Sequence, residues 1–142
     1  SLIDVWKLIK FSASDTYELA AAGDLFDGAI TSLEPATSAG WTIGGINEKD
    51  MMLVLADGLQ ATPGTGTIAA GDYVVAGTVT AKGTALPSYV KVCKATVQPG
   101  DVPASLTAAA AQTLASFKAW KVVSLGAAAT GAVGTVMTIE RV

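Results

Sequence analysis

The sequence predicts an all-β domain, a β-sandwich or barrel with one short helix, and three observations carry that expectation. Apolar and polar residues alternate over several short runs, and Gly, Pro, Asp and Thr clusters separate those runs. Only one stretch, near residues 103 to 116, has a helical composition. A chain of 142 residues is long enough for one such domain to bury about two-thirds of its unfolded surface without metal or disulfide staples.

The first candidate strand is "DVWKLIKF" (4 to 11), inside the apolar opening "SLIDVWKLIKF". Residues 1–12 read as an N-terminal extended arm that adds a strand to a neighbour, and residues 13–142 as the all-β domain. Asp4, Lys7 and Lys10 interrupt the opening where an export signal needs an unbroken apolar segment, so none is expected here. Next come "GWTIGGI" (40 to 46) and "DMMLVLA" (50 to 56). In "DYVVAGTVTAK" (72 to 82), Tyr73, Val75 and Val79 fall on one face and Thr78, Thr80 and Lys82 on the other, the pattern of a half-buried strand. "YVKVCKATV" (89 to 97) breaks the alternation at Lys91 and Lys94, which calls for a bulge or for water on both faces. "AWKVVSL" (119 to 125) and "VGTVMTIERV" (133 to 142) complete the set. The helix is expected over 103 to 116, with Asp101 as cap, Pro103 in the first turn, and Leu106, Ala110, Leu114 and Phe117 on its buried face. "AAGD" occurs at 21 to 24 and 69 to 72, and "QPGD" at 98 to 101; these echoes read as recurrent turn-to-strand chemistry.

Charged residues make up 15% of the chain against roughly 25% in ordinary globular proteins, so part of the surface is expected to be covered by something other than water. Residues 1 to 72 carry ten acids and three lysines, whereas 73 to 142 carry two acids and six bases. That polarity either cancels across the fold or makes a two-ended surface for contact with copies of the chain. There is no basic stripe for nucleic acid, and the longest apolar run, "MMLVLA", is far shorter than the roughly 20 residues of a membrane-spanning helix.

The chain has no histidine, which removes the usual general base and the commonest metal ligand, along with both the Ser-His-Asp and the Cys-His arrangements. Cys93 is the single cysteine and reads as a small buried strand residue. Asp24 and Asp27 in "DLFDG", with Glu34 following, are better explained as turn acids than as a calcium loop. "GTGTIA" (64 to 69) mimics a dinucleotide fingerprint, yet a strand is expected after it instead of the required helix. "SYVK" (88 to 91) mimics a nucleophile motif without its companion motifs. No catalytic residue, cofactor site or metal site is therefore assigned. Trp6, Trp41 and Trp120 are core fillers or interface anchors. Trp6, with Leu8 and Phe11, is the candidate interface set.

The stretch "IAAGDYVVAG", the turn Pro99-Gly100-Asp101 and the closing "WKVVSLGAAATGAVGTVMTIERV" together resemble the head decoration, or capsid cement, proteins of tailed bacteriophages. That family typically has Gly-Asp-Val-like turns and an L-x-A-A-A-x-G ending before a final strand, matched here by Leu125, Ala127, Ala128, Ala129 and Gly131. The resemblance covers roughly residues 68 to 142. It implies a non-enzymatic structural protein of the virion, made in the host cytoplasm and bound to the outer capsid surface. Its partners would be the major capsid protein and copies of itself, as a homotrimer or, second, a homodimer, with no cofactor, nucleic acid or membrane. The alternative is a glycan-binding β-sandwich module or adhesin fragment that stacks sugars on Trp41 or Trp120.

Overall fold

Alternating short runs form strands in this chain because only pairing satisfies their backbone groups while turning one row of apolar side chains inward. A computed structural model describes residues 2–12, 16–33, 44–98 and 120–142, and it is all-β apart from a single 3-10 turn at Leu2–Asp4. Strands β1 (Leu8–Phe11), β2 (Tyr17–Leu19), β3 (Gly28–Leu33) and β4 (Gly44–Asn47) make an antiparallel sheet in the order β2-β1-β3-β4. Strands β5 (Met52–Leu59), β6 (Thr62–Pro63), β7 (Tyr73–Ala76), β8 (Lys91–Lys94), β9 (Trp120–Ser124) and β10 (Val136–Arg141) make the second, in the order β10-β9-β7-β8-β5-β6. Because β10 also pairs with β5, five of these strands close into a barrel and β6 is a hairpin extension. The pairing of β5 with β8 is parallel; the other pairings are antiparallel.

Alternate residues of the barrel strands fill its interior: Val54 and Ala56, Val74 and Ala76, Val92, Trp120 and Val122, Met137 and Ile139. Phe26, from the segment leading into β3, joins this core and stacks on Trp120 with ring centroids 5.6 Å apart. Leu8 and Ala29 carry the same core into the four-stranded sheet. Outside the barrel wall, Val75, Cys93 and Ala95 are buried in a second cluster under Leu25. Arg141 on β10 ties the sheets together by donating to the carbonyls of Asp27 (3.0 Å) and Glu48 (3.5 Å).

Several expectations change. The "DYVVAGTVTAK" strand ends at Ala76, and it is covered on both faces because the 21 to 24 turn lies along it: Gly23 donates to Ala76 and Ala76 to Asp24. Val79, expected on its buried face, is exposed. The slip at Lys91 and Lys94 arises from burial on both sides, with Val92 inside the barrel and Cys93 outside it, and the bulge lies on the partner strand β5 between Ala56 and Leu59. Strands β2, β3 and β6 were not anticipated. The helix expected over 103 to 116 and the Pro99-Gly100-Asp101 turn lie outside the described residues, as do residues 40 to 43 of the second candidate strand.

The opening segment is not a projecting arm. β1 is an interior strand, paired with β2 on one side and β3 on the other, so it has no free edge to offer a neighbour. Lys7, Leu8 and Ile9 are buried in succession.

Candidate functional site

Trp6 is the unusual residue of this chain. Its φ is 70°, the left-handed region that bulky side chains avoid, and it is the one non-glycine among the described residues with positive φ. Such a conformation costs about 1–3 kcal/mol and persists only where the surroundings impose it. Here three constraints do so. The Trp6 amide donates to the carbonyl of Ile30 at 2.6 Å, the Lys7 amide donates back to the carbonyl of Asp4 at 3.2 Å, and Ile30 donates to the carbonyl of Lys7 at 3.0 Å. Despite this fixed backbone the indole is 49% exposed.

The next residue supplies the strongest anchor. Lys7 Nζ is buried and donates to Asp4 Oδ1 at 2.6 Å and to the carbonyls of Ala81 and Thr84, both at 2.7 Å, so all three of its protons are used. Asp4 Oδ1 also accepts from the Gly83 amide at 2.8 Å. Burial alone would push the Asp4 carboxyl up, but the hydrogen bonds from Lys7 and Gly83 outweigh it and hold the group below its ordinary value. This clasp joins the 3 to 7 segment to the 81 to 84 turn across the sequence.

Both joined segments continue into the walls of one groove with a volume of about 500 Å³. Its floor is the outer face of the barrel, where Leu53 on β5 lies opposite Thr138 on β10. Ile3 and Trp6 line it from one segment and Leu86 and Tyr89 from the other, with Met51 beside the floor. Among the described residues, none of those lining it is charged. Ile3, Trp6, Met51, Leu53 and Tyr89 are all large apolar side chains left open to water, a grouping that marks interaction surfaces.

Of the three interface candidates, Trp6 lines this groove. Leu8 does not reach the surface; at 4% exposure it belongs to the core, because the pleat of an interior strand turns it inward. Phe11 is 49% exposed but lies away from the groove lining, edge-on to Tyr17 across β1 and β2 with centroids 5.7 Å apart. Trp120 is fully buried and cannot serve as a sugar-stacking platform, while Trp41 lies outside the described residues. The wall segment 85 to 90 was not read as a wall from the sequence: residues 85 to 87 were not singled out, and Tyr89 and Val90 were placed in the strand expected over 89 to 97, which begins only at Lys91.

The remaining reactive groups are engaged in structure. Cys93 is buried as expected, its thiol directed at the carbonyl of Asp57 (3.3 Å), and burial with the adjacent Asp57 carboxylate pushes its pKa up to about 12. Asp57 accepts from the Thr78 amide (2.8 Å) and hydroxyl (2.7 Å). Asp24 pairs with Lys10 at 2.6 Å and accepts from the Ala21 amide, and Asp27 accepts from the Phe11 amide. No group of three acids or thiols among the described residues is placed to hold a metal ion. No helix among them is long and apolar enough to cross a membrane. No family model matches the chain, and comparison with curated proteins and with solved structures returns no match.

Proposed function

We propose that this chain is a structural virion protein that binds the outer surface of a tailed-phage capsid and cements neighbouring major capsid protein subunits, acting as a homotrimer. The observation that carries the reading is the uncharged groove around Trp6, an exposed apolar surface held in shape by a strained, hydrogen-bonded backbone. Its chemistry suits adhesion: a rigid aromatic anchor beside Met51 and Leu53 concentrates contact energy without any group that activates a substrate. The family resemblance of residues 68 to 142 gives the adhesion its setting. A protein that binds the assembled shell and not its free subunits stabilises the shell by mass action, and several contacts from one oligomer raise the avidity by about 10²–10⁴.

The test is rebinding. Purified protein is added to capsids stripped of this polypeptide, and the particles are imaged. Regular outward density at lattice points is expected for the parent chain, with affinity falling about 30-fold or more for Trp6→Ala. Full rebinding by Trp6→Ala together with Leu53→Lys, or no binding by the parent chain, would overturn the reading.

A further inference from the structure

One backbone edge of the barrel opens into the groove. Along β5 the hydrogen-bonding direction alternates: the Ala56 amide donates to the carbonyl of Thr135 at 2.9 Å on the β10 side, and the Leu55 amide donates to the carbonyl of Val90 at 2.9 Å on the β8 side. The amide and carbonyl of Leu53 therefore point the same way as those of Leu55, away from Thr138, its neighbour on β10. Pairing of β5 with β8 begins only at Leu55 opposite Lys91, while Ser88 and Tyr89, which would come next along that row, line the groove. Among the described residues, nothing bonds to either backbone group of Leu53.

These features specify what fits. An open strand edge is completed by another extended backbone, which brings one carbonyl and one amide. A groove of about 500 Å³ admits a few residues in single file. Every strand described in this chain is already built into one of the two sheets, so a second copy has no loose strand to give among its described residues. On the docking reading above, on which this step rests, the donor is the coat protein. We infer that the groove is a strand-acceptor site: an extended segment of the coat protein lies beside residues 51 to 53, in line with β8, and hydrogen-bonds the amide and carbonyl of Leu53. Alternate side chains of that segment fall on the Leu53 face, against Trp6 and Met51, and are apolar.

The test uses the full chain, overlapping synthetic peptides that span the coat protein, and hydrogen exchange at single-residue resolution. In the free chain the Leu53 amide is expected to exchange about 100-fold or more faster than the Val54 amide, which faces β10. One coat peptide is expected to bind and to slow Leu53 about 10-fold or more. Leu53→Pro removes the N–H but leaves the Met52 and Val54 bonds to β10, whereas Leu53→Ala keeps the N–H and removes the side chain. Leu53→Pro is expected to bind that peptide about 10-fold more weakly than Leu53→Ala, with the Met137 and Ile139 amides as protected as in the parent. If Leu53→Pro lowers that protection, the slowing of Leu53 by peptide in the parent chain decides alone. No binding by any coat peptide overturns the inference, as do equal affinities of the two folded variants or binding that leaves Leu53 exchange unchanged. Slow Leu53 exchange in the free chain also overturns it: slowing lost on dilution means that a second copy covers the edge, and slowing that persists means that another segment of this chain does. The docking reading is judged by rebinding to capsids, so capsids that take up the parent chain while no peptide engages Leu53 would remove this inference and leave that reading standing.

Discussion

At Trp6, side-chain identity and backbone conformation pull in opposite directions. The indole is half-exposed, so it gains little by burial, yet it occupies a φ that glycine would adopt without strain. Replacing it separates the two effects: Trp6→Gly and Trp6→Ala both delete the anchor, but Gly relieves the strain. Trp6→Gly is therefore expected to be about 1 kcal/mol more stable than Trp6→Ala in urea denaturation, with both defective in docking. Equal stabilities would mean that the backbone is not strained. This residue could be picked out of the sequence as an anchor because large aromatics beside apolar neighbours are few. Lys7 could not, since two of its three acceptors are carbonyls 74 and 77 residues away and no local pattern announces them. Leu8 failed for a related reason: a strand paired on both edges turns inward residues that look available on a free terminus.

Turns are the elements the sequence encodes most openly. The two AAGD tetrapeptides fold alike: Asp24 donates to Ala21 and Asp72 to Ala69, each aspartate's carboxylate accepts from the first residue's amide, and Gly23 and Gly71 have φ of 84° and 91°. Each turn also docks on a strand in the same way, Gly23 and Asp24 on Ala76, Gly71 and Asp72 on Val122. AKGT (81 to 84) and AVGT (132 to 135) repeat the bend with Gly83 and Gly134, so the rule extends beyond the aspartate form. The glycines differ in what surrounds them. A Cβ at Gly71 would meet nothing, whereas one at Gly58, in the β5 bulge, would collide with the Thr65 backbone. Gly71→Ala should cost about 1 kcal/mol from φ alone, and Gly58→Ala more than about 2 kcal/mol, by urea midpoint. Costs of similar size would remove the steric part of the argument. Strands were legible where period-two alternation ran for several residues, as in β5, β9 and β10. β2 is too short to display a period, and in β3 the burial falls on Gly28 and Ala29, which carry almost no hydrophobic signal.

On the scale of the whole molecule, the all-β class was readable but the closed barrel was not, because closure depends on which distant strands meet and alternation is the same in a sandwich. The charge asymmetry between halves is met in part inside the fold, where Lys94 approaches Asp72 at 3.5 Å. Acid sensitivity belongs to this scale. Asp4 and Asp24 both hold their protons less tightly in the folded chain than at the ordinary value of 3.8, since the hydrogen bonds from Lys7 and Lys10 outweigh burial. Depressed carboxyl groups stabilise the folded state above the unfolded value and lose that contribution as pH falls through 3.8 toward the folded pKa. The urea midpoint is therefore expected to drop between about pH 5 and pH 2.5, with a shallower drop in Asp4→Asn; identical slopes would exclude the Asp4 contribution.

The double pairing of β10 also bears on how the molecule assembles itself in time. With Ile139 opposite Met52 on one side and Arg141 opposite Trp120 on the other, this strand supplies both final seams of the cylinder. Without it, β5 and β9 would each lack one barrel neighbour, leaving two strand margins of the kind that pair with other chains. Joining segments so remote along the chain slows folding, so variants that weaken the β10 seams are expected to aggregate during refolding more than variants elsewhere, as light scattering on dilution from urea would show.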